Sequence, residues 1–544
     1  MPIVNPENGP VTESPDHVVE RIVAEYRADT ASAPWLVCDR HPVEKVAFRF
    51  VDADLGVTEI TYGELAIRSR RAARFLAERG VGQGDRVASL MGKGPDLPAL
   101  ILGIWRLGAV YVPLFTAFAA DAIADRIADA GVMLVVTDVQ QHPKVRQVPV
   151  QVVLDRDPAA GAGFGDALES GPEWTAPTPV SGGEIPIVQM ATSGTTGKPK
   201  VVVHPLAYAA GWQAYIELGL AAGHSYWCAA DPGWAYGLYT AIIGPLAAGV
   251  PSIIATGTFK PEQTWRILAE LAVTDFAAAP TALRALRASD PGVDLPALQR
   301  ISSAGEPLTP EVGQWTRERF GLDVHDHFGQ TELGMPAGFA HHPDLERSIV
   351  PRAMGTAFPG WAVLVLRADS DEPAPTGQVG RLAIDVAASP LFTFTGYGAT
   401  RDLRGTRFTA SGSYYLTGDL ASVDEDGVIH FSSRDDDVIL MAGYRIGPFD
   451  IESVLVAHPS VAECAVVATP DEVRGEVIHA YIVPATTPED PDALADDLRT
   501  WVRTRYGAHA FPRLVTFVDA LPKTPSGKIQ RVALRSPAGN ERIR

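Results

Sequence analysis

Apolar residues in the first 180 positions fall into short blocks separated by longer amphipathic stretches. Arg86–Leu90 and Val132–Thr137 are short apolar runs of strand length, and Leu97–Leu107 has helical length. Thr61–Gly80 carries a helical period, with Thr61 and Glu64 spaced as a capping box and Gly80 ending the pattern. Asp157–Gly183 is rich in Pro, Gly and Ala and reads as a loop. From Ile185 to Phe328 the alternation returns, with apolar runs at Ile185–Ala191, Pro251–Ala255, Thr274–Ala278 and Arg300–Ala304. Strands alternating with helices predict mainly parallel sheets covered by helices. Thr356–Gly427 changes character: Gly, Thr and short β runs (Ala362–Leu366, Gly380–Val386) predict a small barrel or antiparallel sheet.

A second α+β pattern fills the C-terminal end. Helices are expected at Phe449–His458 and Pro491–Tyr506, and strands at Val461–Thr469, Val477–Val483 and Leu514–Val518. Ser536–Arg544 reads as a loose tail. Length agrees with a division: 544 residues exceed the roughly 250–300 at which single cores stop growing. The expected architecture is a large α/β N-terminal domain, 1–433, holding mainly parallel sheets and the small β-barrel-like part. A small α+β domain, 434–544, follows it.

Composition narrows the class. Net charge is −19, from 46 Lys and Arg against 65 Asp and Glu, and no basic run offsets it, so a nucleic-acid partner is excluded. The most apolar stretch, Leu97–Phe115, is interrupted by Arg106 and Pro113, so a buried helix is expected there and no membrane span. The N-terminus is polar, without the basic and apolar regions of a signal peptide. Cys38, Cys228 and Cys464 are far apart and form no CxxC pair, which predicts a reducing, cytoplasmic setting without a disulfide or zinc framework. The adjacent His341 and His342 lack metal-ligand spacing and are expected at the surface.

The strongest chemical signal is Thr192-Ser-Gly-Thr-Thr-Gly-Lys-Pro-Lys200, directly after an apolar run. Gly194 and Gly197 permit backbone geometry that lets N–H groups converge on a phosphate. Thr192, Ser193, Thr195 and Thr196 add hydroxyls, and Lys198 adds charge. A Walker A loop needs four residues between its glycines and Ser or Thr after the Lys. Here only Thr195 and Thr196 intervene and Pro199 follows.

This loop resembles the phosphate-binding signature of the adenylate-forming superfamily, which includes acyl-CoA synthetases, luciferases and peptide-synthetase adenylation domains. Further segments resemble the family's other signatures, in its order: Ser303-Ala-Gly-Glu-Pro307, Asp326-His-Phe-Gly-Gln-Thr-Glu332, Tyr415-Leu-Thr-Gly-Asp419, Ser433-Arg-Asp-Asp-Asp-Val-Ile439 with Gly443-Tyr-Arg-Ile446, and Pro522-Lys-Thr-Pro-Ser-Gly-Lys-Ile529. The likeness runs from about Ile60 to Arg535.

The resemblance implies a two-step ligase using ATP, Mg²⁺ and coenzyme A, with a small carboxylic acid as substrate. Gly305, Glu306, Pro307, Asp326, His327, Phe328 and Gln330 would cradle adenine. Asp419 and Arg434 would hold ribose, and Arg445 phosphate. Thr331 would donate to the α-phosphate and Glu332 would hold Mg²⁺, a hard cation that takes oxygen ligands. Lys528 would reach carboxylate and phosphate oxygens during adenylation, offsetting the repulsion between two anions. The small domain would rotate about Asp436 between half-reactions. Gly443 would then help form the pantetheine tunnel, and Arg503 would contact coenzyme A.

The pattern is most similar to acetyl-CoA and medium-chain acyl-CoA synthetases. Acetyl-CoA synthetases carry a tryptophan where this chain has Gly329, and that indole closes the acetate pocket. Gly329 therefore predicts room for a medium-chain or aryl acid, beside Trp234, Ala235, Tyr236 and Ala304. Alternatives are an acetyl- or propionyl-CoA synthetase, transfer to a carrier-protein thiol, luciferase-like oxidation, and an inactive nucleotide-binding homologue. Because Lys528 must be charged to act, a lysine acetyltransferase and deacetylase acting on it are candidate partners.

Overall fold

The computed structural model describes residues 13–156, 163–179, 182–192, 200–223, 225–398, 407–435, 437–441, 444–471, 475–507, 510–523 and 529–535, and of 440, 444, 445 and 475 the backbone alone. Most expected elements form. Thr61 caps the helix Tyr62–Ala77 with both bonds of a capping box to Glu64. Arg86–Leu90 and Arg300–Ala304 are strands with the expected bounds. The helix Asp96–Arg106 is buried along its whole length and leads into the strand Val110–Pro113. Arg106 lies inside because Asp39 takes two of its N–H groups, at 2.9 and 2.6 Å, and Ser69 a third at 2.8 Å. Among the described residues no helix is long and apolar enough to cross a membrane.

Two sheets form the bulk of the N-terminal part. One has nine strands, with Val46–Val51, Ser252–Ala255, Tyr226–Cys228, Asp275–Ala278, Arg300–Ala304 and Val324–Gln330 running parallel through its middle. The other has six, parallel except for the last pair, Pro186–Thr192 against Lys200–Pro205. A third, four-stranded and antiparallel, joins Val363–Leu366, Gly380–Asp385, Tyr414–Val423 and Ile429–Arg434. This is the sheet expected from the change of character at Thr356–Gly427.

The C-terminal part has its own five-stranded sheet and its own apolar core around Ile451, Val466, Ile478, Ile482 and Leu498. The helices Pro448–Val456 and Pro491–Arg505 cover it. Arg352 and Asp450, 2.5 Å apart, and the rings of Phe431 and Phe449, 5.7 Å apart, tie the two parts together.

Two expectations need correction. Asp157–Gly183 contains a helix, Phe164–Ser170, whose Asp166 side chain accepts from Gly163 N–H at 2.8 Å. Phe164 and Leu168 are buried against the Tyr62–Ala77 helix, and a two-turn element flanked by glycines leaves little periodic signal. His341 is not a surface group: it is half-buried, stacked on His325 at 3.6 Å, with Nε2 3.0 Å from Ser302 Oγ. The tail Ser536–Arg544 lies outside the described residues.

Candidate active site

Two antiparallel pairs set the site's frame. Thr192 and Lys200 are paired residues at the facing ends of Pro186–Thr192 and Lys200–Pro205. The phosphate-loop residues between them (Ser193, Gly194, Thr195, Thr196, Gly197, Lys198) lie outside the described residues. The second pair is Val324–Gln330 against Gly334–Gly338, and Thr331 and Glu332 sit on the turn joining them.

That turn is gripped from behind. The Thr331 carbonyl accepts from His204 Nε2–H and from the Tyr208 hydroxyl, each at 2.8 Å. Tyr239 donates to His204 Nδ1 at 2.9 Å, which fixes the tautomer. Burial pushes the His204 pKa down to about 3, so the ring is neutral. Glu332 is held from the front: the Tyr397 hydroxyl donates to its Oε1 at 2.6 Å. Tyr397 also pairs with Val202 across a bridge, and the Lys200 ammonium lies 4.9 Å from its ring centre. Tyr397 thus links the strand leaving the phosphate loop to the carboxylate of the turn.

A polar cluster lies on the other side of Gln330. Its amide N–H groups donate to Asp419 Oδ2 and the Thr417 carbonyl, both at 2.9 Å, and its carbonyl accepts from Tyr415 at 3.1 Å. Asp419 and Arg434 face each other across neighbouring strands, and Arg434 Nη1 donates to Asp419 Oδ1 at 2.9 Å. Burial leaves the Asp419 pKa above its ordinary value, although Arg434 pulls it down. Gly418 is required before it: φ is +77°, and a Cβ there would meet Arg434 Nη2 at 3.1 Å and Arg407 Nη1 at 2.5 Å.

The adenine-side residues divide by strand alternation. Asp326 and Phe328 share one face of Val324–Gln330, while His325 and His327 are buried on the other. His327 donates Nε2–H to the Phe339 carbonyl at 2.9 Å and accepts from Tyr215 at 2.6 Å. Its side chain is therefore turned away from the cradle, and only its backbone is available there. Glu306 is likewise engaged elsewhere, with the Thr281 hydroxyl and with Arg284 at 3.3 Å. Gly305 stands at φ +99° with open space where a Cβ would lie, and Pro307 is exposed beside it. Asp326 Oδ1 is buried without a hydrogen-bond partner, and burial pushes this carboxyl up to about 8. An unpartnered acceptor beside an open glycine suits a planar ligand edge that carries N–H donors.

The fit for a cation rests on Glu332. Among the described residues no three His, Cys, Asp or Glu side chains converge on a metal position. Mg²⁺ commonly takes one or two protein carboxylates and completes its shell with water and substrate phosphates, so a single carboxylate on this turn fits.

On the acyl side, the Trp234 ring lies tilted against Phe115 at 5.2 Å and edge-to-face with Phe118 at 5.4 Å. Ala235 and Tyr236 start a short helix, and Ala304 and Tyr236 share a core cluster with Trp212 and Met335. The room expected at Gly329 is not empty. A Cβ built there would collide with Met335 Sδ and the Gly334 carbonyl oxygen, and would lie 3.2 Å from Met335 Cε. The glycine is matched by a side chain from the neighbouring strand.

Of the C-terminal candidates, Arg503 is exposed on the helix Pro491–Arg505, its guanidinium 4.4 Å from the Phe511 ring centre. Asp436, Gly443, Lys528 and the Arg445 side chain lie outside the described residues. Among the described residues nearest to it in the chain, Lys523 and Ile529 form an antiparallel bridge and Gln530 N–H donates to the Pro522 carbonyl at 2.8 Å. Sequence reading missed His204, Tyr208, Tyr397 and Met335. His204 and Tyr208 follow the phosphate loop closely in Lys200-Val-Val-Val-His-Pro-Leu-Ala-Tyr208, which was the available signal; Tyr397 had none.

Comparison with known proteins agrees with this geometry. Residues 35–397 match the family described as AMP-binding enzyme, and residues 450–528 match the AMP-binding enzyme C-terminal domain. The chain is 34% identical to an acetyl-coenzyme A synthetase of Bacillus subtilis over 94% of this chain and 92% of that protein. It is 32% identical to a mitochondrial acyl-coenzyme A synthetase of Mus musculus over 90% and 86%. A crystal structure of an acyl-CoA synthetase from Brucella canis superposes with a TM-score of 0.74 at 40% identity, covering 97% of this chain and 98% of the other. With the Thr331–Glu332 turn inside the first matched segment, which covers more than half of its length, this chain belongs to the AMP-binding enzyme family.

Proposed function

We propose that this protein is an ATP-dependent, AMP-forming carboxylic acid:CoA ligase, an acid–thiol ligase. The observation that carries the reading is the Thr331–Glu332 turn, held between His204 and Tyr208 behind it and Tyr397 in front. In the first half-reaction a substrate carboxylate oxygen attacks the α-phosphorus of ATP, the bond to pyrophosphate breaks, and an acyl-adenylate forms. In the second, the coenzyme A sulfur attacks the acyl carbon and AMP leaves. Asp419 and Arg434 hold the ribose side, Asp326 accepts from the base, and the fixed turn presents the Thr331 hydroxyl and the Glu332 carboxylate to the phosphates. Mg²⁺ at Glu332 would neutralise charge on those phosphates. Pre-set donors and charges of this kind act without reorganisation during the reaction.

Lys528 serves adenylation from a C-terminal domain, residues 434–544, that turns about Asp436 against residues 1–433; Gly443 and Arg503 then face coenzyme A. The acid is of medium length or aryl rather than acetate: in place of a rigid indole at Gly329, the flexible side chain of Met335 occupies that space. The protein works in the cytoplasm, which suits three cysteines that are free and buried. Lys528 is open to control by an acetyltransferase and deacetylase, because acetylation removes the charge adenylation needs.

The test is pyrophosphate release from Mg-ATP against acids from acetate to dodecanoate, with benzoate and phenylacetate, with and without coenzyme A. A coenzyme-A-dependent peak at a medium or aryl acid supports the reading, and release that ignores coenzyme A favours a carrier-protein thiol. Lys528→Ala should lose roughly 100- to 1,000-fold in adenylation, as when one preorganised donor is removed. It should keep thiolysis of supplied acyl-adenylate; equal loss of both steps refutes the division of roles.

A further inference from the structure

Arg352 holds a backbone conformation that an arginine rarely adopts, with φ +68°. Strain of this kind persists only where the surroundings hold it, and it collects at clamps and switch regions. Arg352 stands on a turn in which Ala353 N–H donates to the Val350 carbonyl at 3.2 Å. The turn is fastened to the strand Ile429–Arg434: Ala353 bridges His430, Met354 N–H donates to the Ile429 carbonyl at 2.7 Å, and Ile429 N–H donates to the Gly355 carbonyl at 2.8 Å. From this base the guanidinium reaches into the C-terminal part. Its Nη2 lies 2.5 Å from Asp450 Oδ1, and its central carbon 5.7 Å from the centre of the Phe449 ring. Asp450 lies in the first turn of the helix Pro448–Val456, and its Oδ2 accepts at 3.4 Å from the hydroxyl of Tyr506, which ends the helix Pro491–Arg505. One carboxylate thereby joins both helices of the C-terminal part to a strained turn of the N-terminal part.

We propose that Arg352 is a positioning residue for the two half-reactions: its bond to Asp450 holds the C-terminal part in the arrangement seen here and must break when that part turns. This rests on the ligase reading, in which the C-terminal domain serves adenylation in one orientation and faces coenzyme A in another. Arg352 is pinned to a strand of the large part while Asp450 rides on a helix of the small one, so turning the helix separates them. The neighbouring contact between Phe431 and Phe449, with ring centres 5.7 Å apart, carries no charge and sets no such direction. With side-chain exposures of 35% and 22%, the pair is partly screened by water and biases an equilibrium by on the order of fivefold. That is enough to weight one arrangement over the other and too little to forbid the turn.

The experiment measures ATP–pyrophosphate exchange and thiolysis of supplied acyl-adenylate for the wild type and each variant, and takes the ratio of the two rates. Arg352→Gly suits the left-handed turn, so its melting midpoint should stay near the wild-type value. Its ratio should shift by about fivefold as the present arrangement loses population. A merely structural pair would change stability without moving the ratio. Asp450→Asn keeps the shape and an acceptor for Tyr506 but not the charge, and should shift the ratio in the same direction. The double variant should go no further than either single one, since both act through one contact. Arg352→Lys keeps the charge and should retain most of the wild-type ratio. An Arg352→Gly ratio equal to wild type, a loss shared equally by both steps, or a double variant whose effects simply add overturns the proposal. If Arg352→Gly proves unfolded by circular dichroism, Asp450→Asn decides by the same ratio. A wild-type enzyme that releases no pyrophosphate with any acid sinks the ligase reading itself, a different result from an unmoved ratio.

Discussion

Replacing Tyr397 by Phe removes one oxygen and keeps the ring. The lost interaction is the 2.6 Å hydrogen bond to Glu332 Oε1, while the backbone bridge to Val202 needs no hydroxyl. A hydrogen bond to a charged acceptor contributes about 1.5–3 kcal/mol. Glu332 is half-buried, so water can replace part of that donor, and the lower end, about 1.5 kcal/mol, is the expected loss. At about 1.4 kcal/mol per tenfold, adenylation should fall about tenfold at limiting metal. With Glu332 as metal ligand, the half-saturating Mg²⁺ concentration should rise with it. The assay is ATP–pyrophosphate exchange titrated with Mg²⁺, beside thiolysis of supplied acyl-adenylate, which should be spared. An exchange rate and Mg²⁺ dependence equal to wild type would refute the reasoning that Tyr397 positions this carboxylate.

Two further outcomes follow from buried charge. Asp419→Asn keeps the shape but halves the acceptor capacity facing Arg434 and Gln330. KM for ATP should rise about tenfold or more with a smaller change in kcat, and an unchanged KM would remove Asp419 from the nucleotide site. His204 and His327, with folded pKa values near 3 against about 6.5 unfolded, contribute stability that is fully present above pH 6.5. It is lost as pH falls toward 3, because unfolding then takes up protons, on the order of 1.4 kcal/mol per pH unit for each. Asp326, raised to about 8, works the opposite way and favours the folded state as pH falls from about 8 toward 4. The net expectation is a melting midpoint that declines from pH 6.5 to 5. A flat or rising midpoint would refute it.

What could be read from the sequence depended on the range of the signal. The capping box at Thr61 and Glu64 is local chemistry, and the helix starts where it predicts. The apolar runs at Arg86–Leu90 and Arg300–Ala304 carry their own period and become strands. The helix Phe164–Ser170 was hidden because its stability comes from Phe164 and Leu168 packing on a distant helix rather than from its own pattern. Motif order located the site but not the direction of each side chain. His327 and Glu306 sit within motifs, yet strand alternation turns His327 to Tyr215 and the Pro280–Ala288 helix draws Glu306 to Thr281. The meeting of Gly329 with Met335 depends on a strand irregularity and on pairing across a turn, neither of which a single residue reveals.

The cysteines have a practical consequence. Cys38, Cys228 and Cys464 are each no more than 5% exposed, and burial pushes the first two thiols up to about 12 and the third well above its ordinary value. Thiolate is the reactive form, so the native surface presents no thiol to a maleimide. A pair of cysteines introduced on the exposed faces of the two parts would take fluorophores or spin labels without background. Distances between them could then be followed through a catalytic cycle in an otherwise unaltered chain.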